Sequence, residues 1–229
     1  FIDEIHRLNK TIEEVLYPAM ESRMLDIIIG KGPGARSIQL ELPPFSLIAA
    51  TTRIALLSSP LRSRFSGGTF KLEYYTVEEI EKILARSSAI LKIAITPEAR
   101  KTLALRARFT PRIANRLLKR ARDYAQVHKL DAVDETAALK TLGLLGVDQE
   151  GLEEADRQIL DVLVNKFGGG PVGLSTLAAA ASEDIQTIED VYEPYLLRLG
   201  FIERTPRGRV ATPRAWQHLG KAPPQTHLL

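Results

Sequence analysis

The sequence predicts an α/β layer that gives way to an all-α region and ends in a winged helix. Three observations carry this: strand-like apolar runs alternate with a helical pattern in the first seventy or so residues, everything from Thr76 to Leu145 reads as helix, and the final segment runs helix, helix, helix, hairpin. The strands are expected at "FIDEI" (1–5), "LDIIIG" (25–30), "SIQLEL" (37–42) and "FSLIAATT" (45–52), where β-branched and aromatic residues concentrate. "GKGPGAR" between the second and third reads as the turn of a hairpin. "TIEEVLYPAMESRM" places Ile12, Val15, Leu16 and Ala19 at helical spacing.

The all-α region opens with Thr76 followed three residues later by Glu79, the spacing of a capping box. Thr96-Pro97 and Thr110-Pro111 each set a cap residue before a proline at the first helical position. "DETAALKTLGLL" completes four helices, and "GVDQEG" (146–151) reads as a linker. Beyond it "LEEADRQILDVLVNKF", "LSTLAAAAS" and "EDIQTIEDVYEPYLLRLG" are helical, and "FIERTPRGRVAT" reads as strand, Pro-Arg-Gly turn, strand. Three helices before a basic hairpin is the order of a winged helix. There is no internal repeat.

Composition narrows the function classes. A chain of 229 residues has room for two or three small domains with cores of their own. Its net charge of +3 and pI near 9.1 lean only mildly towards an anionic partner. The absence of cysteine excludes disulfides and thiolate metal sites, and the four histidines lack ligand spacing. No apolar run approaches the length of a membrane span, so a soluble, intracellular protein is expected. The chain lacks an initial Met and opens inside a strand pattern, which reads as a fragment of a longer protein.

Four stations carry chemistry. Asp3 and Glu4 end a strand, where carboxylates project beyond the sheet edge; Asp can hold magnesium directly or through water, and Glu can orient or deprotonate an attacking water. Taken alone, the pair reads as a solvated strand end before it reads as a metal site. "LIAATTR" ends a strand on Thr52, whose hydroxyl could meet a phosphate or the attacking water, although Thr is also simply common in strands. "SPLRSRF" holds two arginines on a short segment, either surface charge or an arginine finger. In "TPRIANR", Arg112 sits in a first helical turn against the helix dipole, which suggests a nearby anion unless it merely reaches solvent.

In that order, and followed by a winged helix, these stations resemble the AAA+ ATPases, and among them the bacterial ATPases of Holliday junction branch migration. "FIDEIHRL", "EEVLYPAME", "PRIANRLLKR", "FGGGPVGL", "EPYL" and "RTPRGRVAT" spread the resemblance over essentially the whole chain. It implies the C-terminal part of an ATPase core (1–74), a helical lid (75–148) and a winged-helix DNA-binding domain (149–229). It also implies a motor that hydrolyses ATP with Mg²⁺ in a homohexameric ring and pulls duplex DNA during recombination and repair. By resemblance, Asp3 is the magnesium-side acid, Glu4 the catalytic base, Thr52 the first sensor, Arg64 the finger given to a neighbouring subunit, and Arg112 the second sensor. Glu21, Ser22, Arg23 and Tyr75 correspond to further nucleotide contacts, with Tyr74 a rival because "FSGGTF" is one residue longer than the family pattern. "ESR" replaces the usual Glu-Asp-aromatic, and Phe109 stands where Gly normally precedes Thr-Pro-Arg.

The family's phosphate-binding loop lies upstream of the Asp-Glu pair, so these residues are expected not to hydrolyse ATP on their own. The third helix of the winged helix carries Glu183, Asp184, Glu189, Asp190 and Glu193, a poor reader of DNA bases. Arg204, Arg207 and Arg209 on the hairpin, with Arg214 just beyond, can instead grip the backbone without selecting sequence, the alternative being a solvated basic hairpin in a protein-binding winged helix. Ile27, Ile29, Ile38 and Leu40 on the first hairpin read by default as core. By resemblance, Arg204 and Arg209 are the strongest contacts, Ile38 and Leu40 are candidates for an exposed apolar patch that docks the junction-recognising partner RuvA, RuvC joins a larger complex, and the setting is a bacterial cytoplasm. The competing expectations are a clamp-loader or initiator type of AAA+ protein, and a non-enzymatic winged-helix regulator that selects sequence.

Overall fold

The computed structural model describes residues 1–29 and 36–223. They divide into two units, Phe1–Leu72 and Glu73–Leu229, each described by itself. No helix of the described residues is long and apolar enough to cross a membrane.

In the first unit, α1 (Lys10–Ser22) starts at Asn9, whose side chain accepts the Ile12 N–H, and ends where Arg23 turns left-handed at φ 61°. The hairpin β1 (Met24–Ile29) and β2 (Arg36–Glu41) follows in antiparallel register, pairing Leu25 with Leu40 and Ile27 with Ile38. The "GKGPGAR" turn expected between them lies mostly outside the described residues. The short α2 (Ser59–Ser63) is capped by Ser58, and Leu61 packs with Ile5 and Leu57 in a small core.

Two expected strands differ. "FIDEI" and "FSLIAATT" meet through one parallel bridge, Ile2 to Ala49, and Ile5–Arg7 turns into a 3-10 helix. Ile2 donates to the Ile48 carbonyl and accepts from Ala50 at 2.9 Å each. Parallel strands are normally flanked on both sides; among the described residues each of these segments bridges only the other, and the ladder stops after a few bonds.

The second unit has two cores. In the first, α3 (Val77–Ile90), α4 (Pro97–Leu105), α5 (Pro111–Val127) and α6 (Glu135–Leu144) bury Ile80, Leu84, Leu103, Leu117, Leu118 and Leu142. The capping box is present at Thr76 and Glu79, and Thr96 accepts the Ala99 N–H. Thr110 does not repeat this: its hydroxyl turns back to the Ala107 carbonyl, because Arg108 and Phe109 enter α5 in the left-handed region at φ 53° and 56°.

The second core is that of the winged helix: α7 (Glu154–Asp161), α8 (Leu174–Ala181), α9 (Ile185–Thr187), α10 (Glu193–Arg198), the wing strands β3 (Ile202–Thr205) and β4 (Gly208–Ala211), and α11 (Pro213–His218) enclose Leu160, Leu163, Leu196 and Phe201. The single third helix read from the sequence is α9 and α10 joined by a π turn, Ile188–Tyr192. Pro194 has no N–H to give the preceding turn, and the wider turn absorbs that loss. A π turn, Val162–Lys166, likewise extends α7. α11, six residues long, is an element beyond those expected from the sequence, although Thr212-Pro213 repeats the cap signature. The linker at 146–151 is an ordered joint: one Asp148 oxygen accepts the N–H groups of Glu150 and Leu152, and the other meets His218 at 2.9 Å.

The wing is fastened to the preceding loop. Val172 and Arg209 exchange backbone hydrogen bonds of 2.9 and 2.7 Å, adding a third edge to the hairpin. A Cβ on Gly208, at φ 134°, would lie 2.3 Å from the Val172 carbonyl oxygen and 2.9 Å from the Gly173 nitrogen, both backbone atoms that cannot step aside. Gly208→Ala is therefore expected to cost about 3 kcal/mol, roughly 10 °C in Tm for a chain of this size. Thermal unfolding followed by circular dichroism checks it, and an unchanged Tm would contradict the close approach.

Candidate functional site

Residues far apart in sequence meet at the first station. Glu4 is held in the left-handed region at φ 48°, a conformation that costs a non-glycine residue energy and persists where surroundings impose it. The Thr52 hydroxyl donates to Glu4 Oε2 at 3.3 Å, and His6 Nδ1 lies 3.2 Å from the same oxygen and 2.8 Å from the Thr51 hydroxyl. Asp3 Oδ1 accepts the Glu4 N–H at 3.0 Å. The parallel bridge produces this meeting, since it sets Ile2 beside Ala49 and so brings residues 3–6 alongside 51 and 52. Nothing in the spacing of the sequence marks His6, because the Thr51 hydroxyl that meets its ring lies 45 residues away.

Among the described residues no group of three or more His, Cys, Asp or Glu could hold a metal ion. Asp3 and Glu4 alone supply two carboxylates. That suits magnesium, which keeps several waters and is carried on nucleotide phosphates, better than an ion needing an all-protein cage.

Arg64 follows α2 and is stowed against its own unit. Its guanidinium meets Glu21 at 2.8 Å, donates to the Pro60 carbonyl at 2.8 Å, and stacks 4.3 Å from the Tyr17 ring centre. Its Nε is buried without a partner. Two residues read separately from the sequence are thus one ion pair. Ser22 returns its hydroxyl to the Pro18 carbonyl, and exposed Arg23 closes α1. Ile38 and Leu40 are half exposed on the hairpin face they share with Ile27.

In the second unit, Arg112 is exposed in the first turn of α5, with no ion pair among the described residues. The Tyr75 N–H donates to the Phe109 carbonyl at 3.2 Å, and Tyr74 carries Arg198 over its ring at 4.8 Å. Phe109 receives the other face of that stack, 4.4 Å from the same guanidinium.

The wing arginines have unequal surroundings. Arg209, with 17% of its side chain exposed, donates through Nε and a terminal nitrogen to both oxygens of Glu193, at 2.8 and 3.0 Å. Arg204, 53% exposed, donates only Nε to Glu193 at 2.8 Å, so the rest of its guanidinium can face a ligand. Arg207 is exposed at the turn. Glu193 itself is buried. Burial alone would raise its pKa, but the hydrogen bonds and charges of Arg204 and Arg209 outweigh it and hold the carboxyl below the ordinary glutamate range.

Three family descriptions tile the chain: the Holliday junction DNA helicase RuvB P-loop domain over residues 1–71, the RuvB AAA lid domain over 75–148, and the RuvB C-terminal winged helix domain over 149–220. The Holliday junction branch migration complex subunits RuvB of two Chloroflexus aurantiacus strains are 55% identical over 228 residues, all of this chain and 65% of each relative. The Thermotoga maritima RuvB Holliday junction branch migration motor matches at TM-score 0.83 with 47% identity, covering 96% of this chain and 69% of that one. The chain belongs to the RuvB family.

The chain spans 65% of the length of those curated relatives. Its fold class is accordingly that of the RuvB P-loop, lid and winged-helix domains, as the sequence predicts.

The Glu193 cluster gives a pH dependence. A carboxyl lowered in the folded state adds stability above its ordinary value of about 4.3, and that stability is lost as pH falls through the lower folded value. Glu193→Gln should therefore lower Tm at neutral pH and flatten its decline between pH of about 5 and 3. Parallel wild-type and variant curves would exclude Glu193 as a contributor to the acid limb.

Proposed function

We propose that this chain is the motor part of a RuvB that hydrolyses ATP with Mg²⁺ in a homohexamer and drives branch migration of four-way junctions bound by RuvA, in recombination and repair. The observation that carries the reading is the meeting of Glu4 with Thr52 beside Asp3, in a chain of this family. A carboxylate oriented by a hydroxyl, next to a second carboxylate, is what activation of a water beside a magnesium-bound phosphate requires. The nucleotide and its ion supply the electrophilic phosphoryl group. Glu4 accepts the proton of the attacking water, Thr52 and His6 fix the carboxylate, and Asp3 is the magnesium-side acid.

Arg64 is the finger presented to a neighbouring subunit, with Glu21 holding it until it is used. Ser22 and Arg23 are further contacts at that edge, and Tyr75 and Arg112 are the lid's contacts with nucleotide. The functional domains are 1–74, 75–148 and 149–229. RuvA docks on the apolar hairpin face bearing Ile38 and Leu40, RuvC joins the larger assembly, and the protein works in the bacterial cytoplasm.

DNA meets the wing. Arg207 and the outer part of Arg204 contact the phosphate backbone. Arg209 contributes mainly by neutralising Glu193, which removes a negative charge from the DNA-facing side.

In the full-length protein, Arg64→Ala should slow ATP-driven migration of a synthetic junction with RuvA by about 10³-fold or more. Wild-type speed in that variant would remove the finger role. Joint Arg204→Ala and Arg207→Ala should weaken binding equally on unrelated duplexes and reduce the salt slope by about 2. Loss confined to one sequence would instead favour a sequence-selective regulator.

A further inference from the structure

The turn that launches α5 is gripped by the winged helix. Arg108 and Phe109 are consecutive non-glycine residues in the left-handed region, a combination that L side chains resist and that persists only when its surroundings over-determine it. Those surroundings come largely from the other core. Arg108 is buried, donates to Asp156 Oδ1 on α7 at 2.5 Å, and stacks 4.3 Å from the ring centre of Tyr195 on α10. Asp156 is fully buried, and its other oxygen accepts the Glu153 N–H at 2.8 Å. Phe109 tilts against Tyr195 at 6.2 Å and lies under Arg198 of α10. One turn into α5, Arg116 forms an ion pair with Glu153 at the start of α7.

The joint behind this grip is equally close. The Tyr195 hydroxyl donates to the Glu150 carbonyl at 2.6 Å, and a Cβ on Gly151 would meet that hydroxyl at 2.6 Å and the Arg106 Cα at 3.2 Å. Arg112 lies three residues beyond Phe109, and the Phe109 carbonyl holds the Tyr75 N–H.

We propose that Arg108 and Phe109 are positioning residues through which the winged-helix domain sets the direction of the α5 start, and so of Arg112 and Tyr75 towards nucleotide. This rests on the reading of those two residues as nucleotide contacts. A shift of the winged helix against α5 must break the buried pair, unstack Phe109, or turn Arg112. DNA held by the wing is thereby coupled to nucleotide grip, and the coupling is reciprocal: bound DNA changes ATP affinity by the factor that ATP changes DNA affinity.

The test uses the full-length protein with ATP and junction DNA. Phe109→Ala removes the ring and leaves the backbone class unchanged; Phe109→Tyr keeps the stack. The joint change Arg108→Met with Asp156→Leu removes both buried charges together, which spares the fold the unpaired ion that either single change would leave. Phe109→Ala and the double variant should raise KM for ATP by about 5-fold with kcat at saturating ATP little changed, and should abolish the DNA dependence of that KM. Phe109→Tyr should behave as wild type. A wild-type KM in Phe109→Ala, or equal impairment in Phe109→Tyr, overturns the proposal even if the double variant fails to fold. A wild-type protein that turns over no ATP overturns the functional reading itself, whereas normal wild-type turnover with unchanged KM in the variants overturns the positioning role alone.

Discussion

The buried ion pair between Arg108 and Asp156 is the constraint on which the second unit depends. Neither group is accessible to solvent in any useful degree, and burial pushes the Asp156 carboxyl above its usual range while the Arg108 charge pulls against it. Removing both charges from such a pair is often harmless to stability, and removing one costs about 3–5 kcal/mol. The value of the pair is therefore in what it specifies: which turn of the lid faces which helix of the winged helix. Tyr195 completes the arrangement from below, its hydroxyl on the Glu150 carbonyl and its pKa pushed up to about 12 by burial.

Glu193 plays a comparable part at the wing. A carboxylate buried at the start of α10 would repel a phosphate backbone and would be costly without partners. Arg209 answers it with two hydrogen bonds and Arg204 with one, so the wing's geometry and its charge are fixed together. The same logic recurs around Arg64, which is held by Glu21, Tyr17 and the Pro60 carbonyl. In each case the fold orients an arginine before any ligand meets it.

Much of this was legible in the sequence for local reasons. Capping at Thr76 and Thr96, the hairpin of Met24–Glu41 and the wing of Ile202–Ala211 follow from residues within a few positions of one another. Local grammar failed where a tertiary contact intervened. Thr110 carries the same Thr-Pro signature as Thr96, yet its side chain does not cap, because Arg108 and Phe109 are drawn into the left-handed region by contacts to α7 and α10. The third helix of the winged helix reads as continuous from its apolar spacing, but Pro194 forces a π turn within it.

By itself the sequence determined the three-part order of α/β layer, helical region and winged helix, the family, and which residue types stand at each station, since these depend on periodicity, capping and motif spacing along the chain. Only the tertiary structure decided that His6 and Thr52 converge on Glu4, that Glu21 holds Arg64, that Arg209 faces Glu193, and that Arg108 reaches Asp156. Hydrogen bonds and ion pairs act over a few ångströms in space, and nothing in local spacing tells which distant segments will be brought within that range.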